Sequence, residues 1–336
     1  MQGRLVGKLE ALGFEARENA ILSAITFEVV KSSEVEGEQL DELKVRSSVA
    51  RKLGIEKGGL VESTKEIDSV VEMMLDATQR FDAPLSEDRL FGWHVSLFPT
   101  EQSRPGRIKV GEYRSNIMQV VSGAFGREKI HFQAPPPERV KLEMDIFLNW
   151  LSSSSKTDPI ILAALAHFYF VTIHPFDDGN GRIARAIADM MLARAEGSSF
   201  RYYSMSAQIM AARKKYYEVL EKTQKYTGDL NEWVRWFLEC LLSAIKASEF
   251  ALSKVMEKTE FWDRYRNVEI NERQRHVLNI MMDGFKGKMQ TSKWAKLAKC
   301  STDTALRDIT DLMQKDILVK DSAGGRNTAY RIRGTQ

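Results

Sequence analysis

Hydrophobic residues recur at intervals of three and four along most of the chain, which is the pattern of amphipathic α-helices. Residues 65–81 show it in five apolar positions: Ile67, Val70, Val71, Met74 and Leu75. Residues 137–153 repeat it, and residues 159–173 are apolar on nearly every side. The latter run is too short to cross a bilayer, so we expect the central buried helix of a bundle. Further helices are expected over residues 180–195, 206–226 and 229–256.

One segment departs from the helical pattern. Residues 118–121 and 129–132 are short runs with high β-propensity, and a glycine-containing stretch at 122–126 separates them. Two such runs joined by a turn predict an antiparallel hairpin. Three consecutive prolines at 135–137 then end the second strand and begin the next helix.

The chain changes character beyond about residue 260. Between 271 and 336 the pattern predicts a helix, a short helix, a third helix and a β-hairpin with its turn at Gly324 and Gly325. This is the order of a winged helix-turn-helix domain. The expected N-caps of its second and third helices are Thr291 or Ser292, and Ser301. Its small core is expected to contain Trp294, Leu297, Leu306, Ile309 and Leu312.

Charge is unevenly distributed along the chain. The whole sequence has a net charge of +3, whereas residues 271–336 carry 13 Lys or Arg against 7 Asp or Glu, a difference of +6. Three arginines around the expected wing suit phosphate contacts: Arg326, Arg331 and Arg333. Three aspartates on the would-be recognition helix would repel phosphates if they faced a groove: Asp303, Asp308 and Asp311. DNA and protein contacts through this region both stay open, and we favour protein contact.

Composition favours a cytoplasmic protein. Apolar residues make up 43% of the sequence and charged residues 28%, as in ordinary globular proteins. No apolar run is long enough for a membrane span, and the N-terminus lacks the apolar segment of a secretory signal. Cys240 and Cys300 lie far apart without a zinc-binding spacing, which fits a reducing compartment.

Residues 174–185, HPFDDGNGRIAR, combine a base, two carboxylates, a Gly-Asn-Gly turn and two arginines. If residues 179–181 open a helix, the backbone N–H groups of the turn point at one spot and carry the positive end of the helix dipole. The two glycines would let a phosphate approach this backbone closely. The turn is therefore a candidate anion-binding site, although an isolated Gly-Asn-Gly is usually only a structural turn.

The ionisable side chains around the turn fit the same ligand. Arg182 and Arg185 are three positions apart and project from one helix face, and arginine matches phosphate oxygens well. Asp178 is a hard oxygen ligand suited to a Mg²⁺ ion that bridges phosphates. His174 supplies a base of the kind that works near neutral pH. Together these residues predict phosphoryl or nucleotidyl transfer.

This segment resembles the signature of the Fic family, HPFx(D/E)GNGRxxR. Every specified position is filled: His174, Pro175, Phe176, Asp178, Gly179, Asn180, Gly181, Arg182 and Arg185. The hairpin and the flanking helices are also similar to the family's core, over roughly residues 30–260. The resemblance implies a mainly α-helical Fic bundle with a small β-hairpin flap. We expect three parts: an N-terminal helical region (1–100), a catalytic core (101–260) and the winged helix-turn-helix domain (261–336).

The resemblance implies transfer of AMP from ATP to a Ser, Thr or Tyr hydroxyl of a target protein. In that scheme His174 takes the proton of the attacking hydroxyl, and Asp178 holds Mg²⁺ between the α- and β-phosphates. The N–H groups of the turn and Asn180 hold the α-phosphate. Arg182 stabilises the leaving pyrophosphate, and Arg185 pairs with the γ-phosphate. Positioning and electrostatics would supply most of the catalysis.

Residues outside the motif also gain roles from the resemblance. The hairpin would be a flap that holds the target segment by strand addition, with three residues over the nucleotide and target: Ile130, His131 and Phe132. An adenine pocket would contain Tyr216, Tyr217 and Gln224. The two tyrosines lie at a helical spacing that is equally typical of a core. Phe176 is expected to anchor the motif loop in the core.

A second motif lies near the N-terminus. Ser32, Glu36 and Gly37 resemble the family's inhibitory motif, (S/T)xxxE(G/N), in the subgroup with an N-terminal inhibitory helix. The resemblance implies that Glu36 forms a salt bridge with Arg185 and displaces the γ-phosphate of ATP. The other interpretation is an ordinary acidic, solvated loop. Because the motif at 174–185 is complete, we favour inhibition.

Other functions stay open beside a regulated adenylyltransferase. A family relative could use another nucleotide or transfer a phosphate, although the intact turn at 179–181 disfavours phosphate transfer. Another relative could remove AMP, with Glu36 acting on water. A DNA-binding regulator could use the Fic-like part to sense a nucleotide. A homodimer also stays open, and no membrane contact is expected.

Overall fold

A computed structural model of the chain describes Gly7 and residues 14–55, 59–99, 108–122, 129–154, 156–225, 228–285, 287–321 and 328–334. The fold is mainly α-helical, as the sequence predicts. It divides into two compact units, Met1–Ser248 and Glu249–Gln336. The expected N-terminal region and most of the expected catalytic core fall in the first unit. In the part of the chain that is described, no helix has the length and apolarity needed to cross a membrane.

The first unit consists of helices around one short hairpin. The helices before the hairpin are α1 (Phe14–Val35), α2 (Glu42–Lys52), α3 (Lys65–Gln79) and α4 (Glu87–Leu97). The hairpin strands are β1 (Gln119–Ser122) and β2 (Lys129–Gln133). The helices after it are α5 (Pro137–Ser153), α6 (Pro159–Ile173), α7 (Asn180–Glu196), α8 (Met205–Ala211), α9 (Arg213–Lys225) and α10 (Asn231–Arg264).

Capping side chains mark the starts of several helices. Side-chain oxygens accept hydrogen bonds from first-turn N–H groups at the starts of α2, α3, α4 and α6: Asp41, Thr64, Ser86 and Asp158. The expected helices 137–153 and 159–173 agree with α5 and α6 at both ends. The expected helix 206–226 is wrong as a single element, because α8 ends at Ala211 and α9 begins at Arg213. Helix α10 is longer than expected and reaches Arg264.

Helix α6 forms the centre of the first unit. It is apolar all round and packs against α5 and α7. The indole of Trp233, which is fully buried, donates a 2.7 Å hydrogen bond to the carbonyl of Ala164. The helix ends at His174, whose backbone adopts the left-handed conformation with φ 53°. The chain therefore leaves the core at the first residue of the motif.

The two strands of the hairpin pair in antiparallel fashion, as the sequence predicts. Val120 faces Phe132 and Val121 faces Ile130, so that His131 is the extra residue of a β-bulge. Of the expected turn at 122–126, only Ser122 lies within the described residues, as the end of β1.

The second unit contains the element order that the sequence predicts, beyond the last turns of α10. Its elements are α11 (Glu272–Met282), α12 (Thr291–Leu297), α13 (Thr302–Gln314), β3 (Leu318–Lys320) and β4 (Tyr330–Ile332). The strands pair in antiparallel fashion, and Met289 adds a β-bridge to Tyr330. Ser301 caps α13 as expected. Thr291 and Ser292 were wrong as N-caps, because α12 begins at Thr291 and its cap position is Gln290. Gly324, Gly325 and Arg326 lie outside the described residues.

The core of the second unit differs from the expected one at a single position. Trp294, Ile309 and Leu312 are fully buried, and Leu297 packs against them. Leu306 is 49% exposed, because it lies at the edge of the buried face of α13, which is formed by Ala305, Ile309 and Leu312.

We expect Ile309→Ala to lower the free energy of unfolding by about 2–5 kcal/mol, since it removes a buried side chain and leaves a cavity. Leu306→Ala is the matched control on the same helix, and we expect its effect to stay within about 0.5 kcal/mol. Urea denaturation followed by circular dichroism measures both. Equal losses would contradict the assignment of Leu306 to the surface.

Candidate active site

The ring of His174 is oriented so that its Nε2 can accept a proton. Its backbone N–H donates to the carbonyl of Phe170 at 3.0 Å, and its Nδ1 lies 3.2 Å from the carbonyl of Val171. Because a carbonyl only accepts, Nδ1 carries the ring proton and Nε2 keeps a lone pair. Burial lowers the pKa of His174, and the positive charge of Arg114 lowers it further. The hydrogen bond to Val171 has the opposite effect, which is smaller than that of burial. The ring is therefore neutral at pH 7.

The loop after His174 is fixed by its own side chains. Phe176 is fully buried and stacks on the ring of His94, with centroids 4.2 Å apart, which confirms its expected packing role. His94 also bridges two segments, through the carbonyl of Asp178 at 3.2 Å and the N–H of Gly111 at 3.0 Å. The Asn180 amide bonds to both backbone groups of Phe176, at 2.9 and 2.8 Å. The side-chain amide of Asn180 is therefore engaged within the loop, and the expected contact of Asn180 with an α-phosphate stays a prediction.

Helix α7 begins with a set of backbone donors that no side chain caps. Gly179 occupies the N-cap position in the left-handed conformation, with φ 79°, and makes no side-chain cap. The first-turn N–H groups thus lie at the positive end of the helix dipole without a capping oxygen. A Cβ atom built on Gly181 would lie only 1.9 Å from Oε1 of Glu36. A carboxylate oxygen already lies against this turn, and only glycine leaves room for it.

Arg185 holds this carboxylate. Its Nη1 donates to Oε1 of Glu36 at 2.7 Å, while Nε and Nη2 donate to the hydroxyl and carbonyl of Ser32 at 2.9 and 2.7 Å. The Arg185 side chain is 2% exposed and that of Glu36 is 31% exposed. Although partial burial opposes ionisation of Glu36, the neighbouring Arg185 lowers its pKa. The expected salt bridge is present in the structure.

The segment after Glu36 adds a contact that sequence reasoning missed. Glu38 accepts a 2.6 Å hydrogen bond from Arg182, whose guanidinium is 3% exposed and lies over the ring of Phe98. Each arginine of the motif therefore faces a carboxylate from the segment at the end of α1. The only sequence signal was a second acidic residue two positions after the first.

Two side chains of α9 form hydrogen bonds with the end of α1 and the residue after it. The Arg213 guanidinium donates to the carbonyl of Val35 at 2.7 Å, and the Tyr217 hydroxyl lies 3.3 Å from Oε2 of Glu36. Tyr217 was expected in an adenine pocket, and in the structure it contacts Glu36. Its place in an adenine pocket stays a prediction, as does that of Gln224, which donates to the Thr172 hydroxyl at 3.2 Å.

Tyr216, the third residue expected in an adenine pocket, is buried in the core, and a role beside adenine stays a prediction. Its side chain is 1% exposed and packs against Trp233 and Trp236. Its hydroxyl lies 3.0 Å from Nε2 of His167, a fully buried ring. Tyr216 and Tyr217 are consecutive residues of α9, so their side chains point in different directions. Only Tyr216 lies in the core.

The flap residues lie on β2, beside α9. Nδ1 of His131 lies 2.6 Å from the Glu221 carboxylate, which joins the flap to α9. Ile130 is 51% exposed, and Phe132 is half-buried. These positions are compatible with the expected contacts to a nucleotide and a target, which stay a prediction.

Asp178 is suited to share a magnesium ion with a nucleotide. Its side chain is exposed, and one oxygen accepts the N–H of Gly179 at 2.6 Å. Among the described residues, no group of three or more His, Cys, Asp or Glu side chains could hold a metal ion by itself. Mg²⁺ is commonly bound by one or two carboxylates together with phosphate oxygens and water. The donor set therefore fits an ion that arrives with a nucleotide.

Comparisons with known proteins agree with this geometry. The model of the Fic/DOC family matches residues 84–192, which contain the flap, the motif and most of α7. The chain therefore contains a Fic domain. Residues 1–55, which carry Ser32, Glu36 and Gly37, match a separate domain of unknown function, DUF4172.

Similar proteins include the protein adenylyltransferase Fic of Drosophila ananassae, 36% identical over 130 residues, which are 37% of this chain and 24% of the relative. The protein of the same name from Drosophila melanogaster is 35% identical over 130 residues, 37% of this chain and 25% of the relative. The chain thus matches about a quarter of the length of these curated relatives.

Two solved structures show a similar fold. A Fic family protein from Desulfovibrio desulfuricans superimposes with a TM-score of 0.53 and 21% identity, covering 99% of this chain and 94% of that one. A Fic domain containing signaling protein from Bacteroides thetaiotaomicron gives a TM-score of 0.55 and 22% identity, covering 75% and 96%. At these identities the likeness concerns the fold alone.

The buried pair of His167 and Tyr216 predicts an acid-sensitive core. Burial, with the charge of Arg185, lowers the pKa of His167 from 6.5 to about 3. The unfolded chain binds the proton first as the pH falls below 6.5, so stability is lost from there downward, at up to about 1.4 kcal/mol per pH unit.

We therefore expect His167→Asn to reduce the slope of unfolding free energy against pH by about that amount between pH 6 and 4.5, while lowering stability at pH 7. Urea titrations at several pH values measure the slope. The matched control is His276→Asn, at an exposed position of α11. An unchanged slope in His167→Asn would rule out a neutral, buried imidazole.

Proposed function

We propose that the first unit transfers AMP from ATP to a hydroxyl side chain of a target protein. One observation carries the proposal: the Glu36 carboxylate lies against Gly181 at the start of α7 and on the guanidinium of Arg185. An anion is thus already bound by the elements that would bind a phosphate chain. A neutral base lies at the other end of the same loop.

The residues of the site divide the chemical work among them. The target oxygen attacks the α-phosphorus, the bond to the β-phosphate oxygen breaks, and pyrophosphate leaves. The proton of the attacking hydroxyl passes to Nε2 of His174, because Nδ1 is held by Val171. The first-turn N–H groups of α7 stabilise the charge on the α-phosphate. Arg182 stabilises the pyrophosphate, and Arg185 binds the terminal phosphate.

Asp178 would hold a magnesium ion at this site. When bound, the ion would neutralise charge on the phosphate oxygens and orient them. The same carboxylate anchors the turn through the N–H of Gly179, so its position is set by the loop as well.

The hairpin is suited to hold the target segment. An extended peptide added to a free strand edge gains main-chain hydrogen bonds without a fixed sequence. The exposed Ile130 offers an apolar contact beside that edge, and His131 ties the strand to Glu221.

We further propose that the end of α1 inhibits the reaction. Glu36 and a terminal phosphate compete for Arg185, and Glu38 and pyrophosphate compete for Arg182. Glu36 occupies Nη1 of Arg185, and Ser32 occupies its Nε and Nη2, so a phosphate oxygen can bind Nη1 only after Glu36 leaves it. Release of the segment and binding of ATP are therefore linked. Removal of AMP with Glu36 acting on water is the alternative for the same geometry.

We expect Glu36→Gly to raise self-labelling from α-labelled ATP with Mg²⁺ at least about tenfold, since it frees Arg185, a change of about 1.4 kcal/mol. Label from γ-labelled ATP would instead support phosphate transfer. Loss of the label in the double variant with His174→Ala ties it to the proposed base. Autoradiography after electrophoresis measures the label.

One further variant sharpens this experiment. Glu38→Gln is the matched control, and we expect a rise of only about two- to fivefold, because its pair is 45% exposed on the carboxylate side. If Glu36→Gly takes no more label than the wild type, inhibition by Glu36 is wrong. If no variant takes α-label and only AMP-modified protein loses it, the chain removes AMP instead.

For the second unit we infer contact with duplex DNA, because the structure weakens the main objection. Asp308 is buried and accepts two hydrogen bonds from Arg273, at 2.7 and 2.8 Å. Asp311 bonds to Gln274 and Lys315, both at 2.7 Å. The outer face of α13 carries Thr302, Asp303, Leu306, Arg307 and Thr310.

The remaining basic side chains suit this partner. Lys288, Lys296 and Lys299 are exposed around α12. At the wing, Arg331 pairs with Asp321 and Arg333 with Asp316, at 3.3 and 2.6 Å, so the expected wing contacts are partly neutralised.

We expect the chain to bind a fluorescent duplex of about 25 base pairs, with an affinity that falls as salt rises, by fluorescence anisotropy. Lys296→Gln combined with Arg307→Gln should lower the slope of log K against log salt by about 2, one for each lost phosphate contact. Lys65→Gln in the first unit is the control. An absence of binding at low salt would favour a protein partner for this unit.

A further inference from the structure

Arg114 lies between the flap and the motif loop, and no motif assigns it. Its side chain is 2% exposed, which is rare for an arginine and requires acceptors for its N–H groups. Those acceptors are all backbone carbonyls in the described part of the chain. A buried cation bound only to carbonyl oxygens, without a carboxylate, indicates a role in holding backbone in place.

The carbonyls bound by Arg114 come from three separate segments. Nη1 donates to Asn116, which precedes β1, at 2.8 Å. Nη2 donates to Pro135, which follows β2, at 2.6 Å. Nε donates to His174 at 2.7 Å, and Nη2 also lies 3.4 Å from the carbonyl of Ile173.

The backbone around Arg114 repeats this connection. Its N–H donates to the carbonyl of Pro175 at 2.9 Å. The N–H of Ala134 donates to the carbonyl of Met118 at 3.0 Å and closes the base of the hairpin. Both ends of the flap and the residue that supplies the base are thus joined by one planar group.

We propose that Arg114 is a positioning residue that sets the flap, and with it the target hydroxyl, at a fixed distance from Nε2 of His174. The inference rests on the proposed transfer of AMP. Proton transfer requires the two atoms within about 3 Å, and misplacement by about 1 Å lowers rates by about a hundredfold. A guanidinium holds three carbonyls in one plane, whereas the single ammonium of lysine does not.

The charge of Arg114 adds a second, separable effect. Three charged groups act on His174: Arg114 from the segment before the flap, Glu36 from the turn after α1 and Asp178 from the motif loop. Arg114 opposes protonation of the ring, and the two carboxylates favour it. Loss of the Arg114 charge therefore raises the pKa of His174 and moves the acid limb of the rate profile to higher pH. Lysine would preserve the charge and lose the planar contacts.

The test compares Arg114→Lys and Arg114→Gln in the Glu36→Gly protein. We expect both variants to lower the maximal rate of self-labelling from α-labelled ATP about 10- to 100-fold. Affinity for α,β-methylene-ATP with Mg²⁺, measured by calorimetry, should change less than about twofold. Arg114→Gln should also raise the pKa of His174, read by NMR titration of ¹³C-labelled histidine, whereas Arg114→Lys should leave it in place.

The matched control is Arg194→Lys, at a half-buried arginine of the first unit that also donates to backbone carbonyls. It donates to the carbonyls of Phe81 and Ala83 and touches neither the flap nor His174. We expect this control to lose stability in thermal melts while its labelling rate stays within about twofold. If Arg114→Gln does not fold, Arg114→Lys decides.

Failure of the inference and failure of the proposed function give different results. If the Glu36→Gly parent takes no α-label, the proposed function fails, and the NMR titration still tests the link between Arg114 and His174. If the parent is labelled and Arg114→Lys is labelled at the same rate, the positioning role is wrong. If the variants lose labelling rate and nucleotide affinity to the same extent, Arg114 has a structural role only, and the positioning role is wrong.

Discussion

A buried guanidinium needs an anion or several acceptors beside it, and Arg185 is 2% exposed. In this chain α1 and the turn after it supply both, through the hydroxyl and carbonyl of Ser32 and the carboxylate of Glu36. Removing the anion without a replacement would leave a buried charge unpaired, which is strongly unfavourable. The closed site and a nucleotide-bound site are thus two ways to meet one electrostatic requirement. This requirement joins the N-terminal helix to the motif although the two are distant in sequence.

The motif loop is rigid because it is bound from several sides. Phe176 and the amide of Asn180 fix it from within, while His94 and Arg114 fix it from neighbouring segments. A preorganised loop does not have to reorganise when charge develops on a phosphate, which is the main source of electrostatic catalysis. The flap shares one of these supports, so it is aligned with the loop even though its strands are short.

Local chemistry decided how much could be predicted from the sequence. The segment 174–185 was readable because its residues act within one turn and one helix, and the ends of α6 were marked by Asp158 and an apolar run. Long-range contacts left no such signal: Arg114 meets His174 60 residues away, and Glu38 meets its arginine 144 residues away. Burial of one tyrosine of a pair, or exposure of Leu306, depends on neighbouring helices that periodicity does not identify.

The backbone of His174 limits what can replace it. A non-glycine residue with φ 53° is strained by roughly 1 kcal/mol, and asparagine is one of the few other residues that adopt this conformation readily. Asparagine lacks a basic nitrogen, so one substitution would remove the chemistry and keep the loop, the anion site and the flap. If the proposed transfer of AMP is correct, the scaffold is one substitution from a protein that binds a nucleotide and a target without joining them. Catalysis and recognition are separable here at a single backbone position.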